Sequence, residues 1–335
     1  MHTYHPRSVL VLISLIVLLL LASVWSLLSG DIDISWRELP EVLSQPDSMN
    51  YSVLMQLRFP RLVLAFAVGA SLSLAVVILQ GIYRNPLVEP YTLGISGGAS
   101  LFVAFGIVSG TAFLGDFTLP FSGFLGALLT FVLVFVIGLG RRNSNVNRML
   151  LTGVMISFVC SSLLMFLLSV STAEEMHNII FWTMGSLEEP NDKLIQLMLG
   201  GSLLVFVVAH FYVHPLNALR LGEDEASHLG INVLSSIRVL FVLTSVLTGL
   251  CVSIAGIIGF IGLVIPHLMR KLIGSDYRLL LSASFLGGGL FLVVCDVLAR
   301  TLIAPNELPV GVLTGISGGI LFIILLTRKE VKWER

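Results

Sequence analysis

Long runs without a single ionisable side chain dominate the chain. Residues free of Asp, Glu, Lys, Arg and His extend over 8–30, 62–83, 90–115, 117–140, 149–173, 194–209, 239–266, 279–295 and 308–327. A helix needs about 20 apolar residues to cross the hydrocarbon core of a membrane. The pattern therefore predicts a bundle of transmembrane helices. The seventh run is too long for one crossing once its flanks from Val233 to Ile273 are added, and Ala255-Gly256 offers a place to turn.

The charged positions between the runs give the count its parity. Lys and Arg collect in cytoplasmic loops. Arg84, the group Arg141, Arg142 and Arg148, then Arg220 and Arg238, then Arg270, Lys271 and Arg278, and finally the tail from Arg328 to Arg335 fall on one side. Acidic residues dominate the opposite loops, over 31–47, 174–192 and at Glu307. Both termini are then expected in the cytoplasm, the span number is even, and 233–273 crosses twice. The expectation is an all-α polytopic membrane protein of about ten helices in one domain over 1–335. The helices are placed at 8–29, 61–83, 91–110, 118–140, 148–170, 193–213, 233–254, 257–273, 279–300 and 308–327. The segment 35–43 reads as a short surface helix on the outer side, and Trp182 as a candidate interfacial anchor.

Composition agrees with a chain solvated by lipid. Hydrophobic residues make up 56% and charged residues 12%, against about 25% charged in soluble domains. A net charge of −1 gives no reason to expect nucleic acid as a partner. The run at 8–30 is longer than a signal-peptide core and lacks a good cleavage site, so it reads as a retained first helix. Cys160, Cys251 and Cys295 lie inside apolar runs at spacings that match no metal or redox pattern.

A few polar features call for a reason. Asp296 and Arg300 sit four apart near the outer end of the ninth helix, where ionisable groups are costly and usually paired. The inner segment 214–232 is the longest cytoplasmic loop. Its Leu, Ala and Gly residues suggest two short helices broken at Gly222 and Gly230, more apolar than a solvated connector needs and suited to docking a soluble partner. Glycine-rich stretches at 94–99, 287–289 and 315–319 suit close helix packing. No Gly-Lys-Ser/Thr phosphate loop, zinc motif or nucleophile elbow occurs. The chain is therefore expected to be non-catalytic and to bind no cofactor or metal of its own, and any ATP-driven motor would be a separate polypeptide. Two transport classes stay open: an ATP-driven permease, and an ion-gradient-driven secondary transporter. The latter would need coupling groups near mid-membrane, where Asp296 is the only deeply placed carboxylate.

Several motifs, spread in order along the chain, resemble one family. They are Arg58-Phe-Pro-Arg61 with Gly69; Gln80-Gly81 with Arg84-Asn-Pro-Leu-Val-Glu-Pro90; and Leu93-Gly-Ile-Ser-Gly-Gly-Ala99. Further on come Trp182-Thr-Met-Gly-Ser186, Leu216-Asn-Ala-Leu-Arg-Leu-Gly-Glu223, and Gly259-Phe-Ile-Gly-Leu-Val-Ile-Pro-His267 with Arg270, Asp276 and Arg278. Asp296, Ala299-Arg300 and Glu307-Leu-Pro-Val-Gly311 complete the set. Together they resemble the permeases of binding-protein-dependent ABC importers for iron siderophores, haem and cobalamin.

The resemblance implies a type II ABC importer permease fold of ten helices, in which helices two to five and seven to ten form a repeat. It implies a homodimer in the inner membrane, two cytoplasmic ATPase subunits that use ATP and Mg, and a periplasmic substrate-binding protein. It assigns binding-protein docking to Arg58, Arg61 and Arg300, whose matching arginines receive a glutamate from each lobe of the binding protein. Snorkelling for Arg58 and Arg61, and a local pair with Asp296 for Arg300, remain the alternatives. It assigns ATPase coupling to Leu219, Leu221, Gly222, Glu223, Ala226 and Gly230. A cytoplasmic gate falls at Val146 and Asn147 within 143–147, where relatives carry small hydroxyl residues and this chain reads Asn-Ser-Asn-Val-Asn. The cargo is not named by the sequence.

Overall fold

The computed structural model describes residues 6–30, 32, 34–111, 114–139 and 146–327. It is all-helical, with no strand among the described residues. In order, the helices are α1 (Pro6–Leu28), α2 (Leu39–Ser44), α3 (Met49–Ser52), α4 (Phe59–Tyr83), α5 (Ile95–Val108), α6 (Thr118–Leu139), α7 (Val146–Val170), α8 (Ala173–Met184), α9 (Asp192–Phe211), α10 (Val213–Leu219), α11 (Glu223–His228), α12 (Val233–Ala255), α13 (Ile261–Ile273), α14 (Tyr277–Thr301) and α15 (Val310–Thr327). A π-helical turn, Val53–Arg58, joins α3 to α4 without a break, and a 3₁₀ turn, Pro90–Leu93, leads into α5.

Seven helices among the described residues are long and apolar enough to cross a membrane: α1, α3–α4 taken together, α6, α7, α9, α12 and α14. The shorter apolar helices α5 and α15, and the short α13 with its basic last turn, join them in the bundle. The outer surface helix begins at Leu39, four residues later than the segment read from the sequence, because Pro40 occupies its first turn. The 171–192 segment holds α8, started by a capping box in which the Thr172 hydroxyl accepts from Glu175 N–H and the Glu175 carboxylate accepts from Thr172 N–H.

α4 is the axis of the fold, buried along almost its whole length. It crosses α14 at Gly69 and Gly288, where a Cβ on either glycine would collide with the other's carbonyl oxygen. α5 crosses α6 in the same way at Gly98 and Gly126. In lipid, association relies on packing rather than on the hydrophobic effect, and such crossings bring backbones close. α12 packs on α6 as α4 packs on α14, so the segments α4–α7 and α12–α15 exchange equivalent contacts.

The second helix of each segment is a short one. α5 and α13 have 14 and 13 residues, about 20 Å of rise against a hydrocarbon core of ~30 Å. Each is approached by chain outside the α-helices: 84–94, which includes the 3₁₀ turn, before α5 and 256–260 before α13. Non-helical backbone at membrane depth has to be covered by protein. Here the two approaches cover each other. The Tyr91 hydroxyl donates to Ile258 O at 2.9 Å and accepts from Ile258 N–H at 3.3 Å.

Candidate functional site

The outer face gathers charge around one carboxylate. Asp296, fully buried on α14, accepts from Arg61 Nε at 2.7 Å through Oδ1, and Arg300 Nε lies 3.2 Å from Oδ2. The pairing is thus wider than the local Asp296–Arg300 pair expected from the sequence, because the first turn of α4 lies against the outer end of α14. Arg61 Nη1 also donates to Glu307 at 2.7 Å and to Glu188 at 3.3 Å. Burial and the neighbouring Glu307 carboxylate push the Glu188 carboxyl above its usual range, against the pull of Arg61.

Arg58 and Arg300 share a second task. Helix ends leave backbone carbonyls without partners, and the last turn of α1 is served by both guanidiniums. Arg58 Nη1 donates to Leu27 O at 2.9 Å and Leu28 O at 3.1 Å, and Nη2 donates to Ile32 O. Arg300 donates to Ser29 O at 3.2 Å and, through Nη2, to Ser26 O at 3.2 Å and Ser26 Oγ at 3.0 Å. Arg58 therefore does not snorkel to water: it is 5% exposed, held inward by the carbonyls it caps. Gly30 leaves it room, since a Cβ there would lie 2.7 Å from Nη2. Gly30, Arg58, Arg61, Glu188, Arg300 and Glu307 line an open cavity of about 570 Å³.

The inner face is built differently. α10 and α11 form two short helices, and Gly222 between them has a φ of +129°, a conformation that L side chains rarely adopt. Leu219 and Ala226 turn into the chain's own core, 1% and 0% exposed. Both belong to the hydrophobic core and hold α10 and α11 against it. Leu221 and Leu229 stand out at 67% and 63% exposed, with Glu223 and Gly230 also at the surface.

α10 is pinned to the turn before α14. Asn217 donates to Asp276 at 2.8 Å and accepts from Tyr277 N–H at 3.1 Å, and Arg220 donates to Ser275 O at 2.8 Å. Burial pushes the Asp276 carboxyl up. Arg278 N–H, the Asn217 amide and the charges of Arg278 and Arg220 outweigh burial and hold it below its usual value. The expected gate falls largely outside the described residues: 140–145 are not described, and Val146 and Asn147 open α7 with side chains that are not described.

This geometry can be set beside known proteins. The chain matches the FecCD transport family over residues 18–328. It is a member of that family. The FecCD match agrees with 37% identity to the hemin transport system permease protein HmuU of Yersinia pestis, over 97% of each chain. The vitamin B12 import system permease protein BtuC of Klebsiella pneumoniae is 36% identical over 98% of this chain and 97% of its own. A solved structure described as an inward-facing ABC transporter of metal-chelate type superposes with a TM-score of 0.84 at 31% identity, covering 96% of this chain and all of the other. This FecCD protein is accordingly a transport permease with the all-α fold of ABC importer permeases.

Within this FecCD fold, two quoted motifs, 182–186 and 307–311, meet the end of α12 and the turn after it, a junction the sequence reading did not single out. Gly185 and Gly311 both pack on Ile257 O, and a Cβ at Gly256 would collide with Trp182 O. Ser186 N–H donates to Ala255 O at 3.0 Å. Trp182, partly buried, packs against the core beside Gly123 instead of standing as a lone interfacial side chain. The signal was present in the glycines, each of which marks a close backbone approach, but spacing alone does not say to what.

Proposed function

We propose that this permease is the membrane subunit of an ATP-driven importer that moves a metal chelate, such as a ferric siderophore, haem or cobalamin, from periplasm to cytoplasm. In this reading the chain is non-catalytic and holds no cofactor, and ATP and Mg are used by two ATPase subunits on the cytoplasmic side. It lies in the inner membrane with both termini in the cytoplasm and works as a homodimer. α7 buries little of its apolar surface within the chain, which suits a dimer axis beside α7 and a gate at Val146 and Asn147. The observation that carries the reading is the outward pair Leu221 and Leu229 on a charged inner loop, flanking Gly222 and held rigidly by buried Leu219 and Ala226. A secondary transporter is less well supported, since Asp296, its candidate coupling carboxylate, is held by two guanidiniums.

On the outer side, a periplasmic binding protein would dock over the cavity that Arg58, Arg61 and Arg300 line, exchanging its carboxylates for those of Glu188 and Glu307 on Arg61. Guanidinium suits bidentate carboxylate recognition. Association with the binding protein should then weaken as salt rises.

Gly222→Trp tests the inner half of this reading. It should abolish stimulated ATP hydrolysis in the assembled transporter while the chain still inserts and dimerises. Full transport with stimulated hydrolysis in Gly222→Trp would place the ATPase elsewhere.

A further inference from the structure

The inner face holds a continuous polar connection that the proposed function leaves unused. It starts at α10, where Asn217 holds both the Asp276 carboxylate and the Tyr277 N–H. The Tyr277 side chain then runs inward, fully buried; its hydroxyl donates to Val77 O on α4 at 3.4 Å and lies beside the Arg270 guanidinium of α13. Arg270 Nη1 donates to Gln80 Oε1. Gln80, 4% exposed, passes the connection on: its Nε2 donates to Pro86 O at 2.6 Å, inside the 84–94 approach to α5. Five residues further along, Tyr91 holds Ile258 in the approach to α13.

The packing allows this route little slack. A Cβ at Gly81 would collide with the Tyr277 hydroxyl and lie 3.1 Å from Leu216 Cδ2 of α10. α4, α10 and α14 therefore meet at one glycine, beside Gln80. Arg84, which ends α4 in a left-handed conformation, reaches back to within 3.5 Å of a Cβ built on Gly222. The α10–α11 segment thus lies close to the 84–94 segment at Gly222 and Arg84, and is joined to it through Asn217, Tyr277, Arg270 and Gln80. Buried polar groups joined in this way are directional and costly to separate.

We propose that Asn217, Tyr277, Arg270 and Gln80 are positioning residues for transport, tying the α10–α11 segment to the 84–94 segment. A displacement of the first is thereby delivered to the approaches that meet at Tyr91 and Ile258. The inference rests on the reading that an ATPase docks at α10–α11, and it adds where that docking is felt inside the membrane subunit. A spatial route alone does not demonstrate coupling, so the test has to move one end and read the other.

The transporter is purified with its ATPase through a tag on this chain. Amide hydrogen exchange is then compared between nucleotide-free and ATP–vanadate-trapped states. In the wild type, nucleotide should change exchange both at 216–231 and at 84–94. Asn217→Ala and Gln80→Glu should keep the change at 216–231 and reduce the change at 84–94 by about fivefold, the weight of one hydrogen bond. Gln80→Glu still accepts from Arg270 but no longer donates to Pro86, so its effect should be confined to 84–94. α12 serves as the reference for global loosening. If Asn217→Ala does not fold, Tyr277→Phe, which removes only a hydroxyl, carries the same expectation. A response at 84–94 that is undiminished in the folded variants overturns the inference and leaves the docking reading intact. A wild-type response at 216–231 alone does the same. No wild-type response at either segment overturns the docking reading, and the inference with it.

Discussion

At the outer face a buried carboxylate, Asp296, is clamped between Arg61 and Arg300, and Arg61 reaches two further carboxylates. At the inner face a half-buried guanidinium, Arg270, donates to the Gln80 amide and lies beside the Tyr277 phenol. Both places join α4 to the C-terminal helices, so they hold the same pieces together with different chemistry. Separating ions in a dry site leaves uncompensated charge on both sides. A guanidinium on neutral acceptors loses less when it changes partner. The outer end is therefore built as a fixed joint whose exposed rim can trade carboxylates, and the inner end as a joint that can shift.

The largest expected effect breaks the outer joint. Asp296→Ala takes the one shared carboxylate from Arg300, which is left with only carbonyl and hydroxyl acceptors, and from Arg61, which keeps Glu188 and Glu307. It should cost about 3 kcal/mol, read as a fall in melting temperature of the detergent-purified chain. Adding Arg61→Met should return part of that loss. An Asp296→Ala chain as stable as the wild type would mean that the outer cluster holds nothing together.

Crowding comes next, on the inner side. Gly81→Ala should cost about 1–3 kcal/mol through overpacking against the Tyr277 hydroxyl. Tyr277→Phe alone should cost about 1 kcal/mol in lost hydrogen bonds. Because the two residues touch, the double variant should cost less than the sum. Strict additivity would show that Gly81 and Tyr277 do not press on each other.

The smallest effect sharpens the contrast by pH. Glu188 is 64% exposed at its side chain and sits above its usual carboxyl range. Ionisation is thus slightly unfavourable in the folded chain, and this penalty is present above the folded value and absent below the usual one. Glu188→Gln should leave stability near pH 7 unchanged or higher by at most about 0.5 kcal/mol. The gap should close as pH falls through the usual carboxylate range near 4.5. A clear loss on Glu188→Gln at pH 7 would make Glu188 part of the fixed joint.

The fold class was legible because uncharged runs and sided charge report directly on lipid and topology. What length could not report is where an uncharged run stops being helical. The run 239–266 contains the approach 256–260, and the chain is helical again only from Ile261. Arg58, Arg61 and Arg300 were visible as exceptions to an acidic face, but their partners were not. Glu307 lies 246 residues from Arg61, and the carbonyls of α1 are backbone groups with no letter in the sequence. Asn217 and Gln80 were missed although both stand inside quoted motifs, since neutral amides show no charge or spacing pattern. Gly81, beside Gln80, was the available hint.

The end of α1 has a consequence for biogenesis. Its last carbonyls are met by Arg58 and, from 271 residues downstream, by Arg300. During synthesis the first helix reaches the bilayer long before α14 exists. Until then part of its end is left to water and lipid headgroups. The outer end of the first helix is therefore completed only once α14 has been made and has packed beside it.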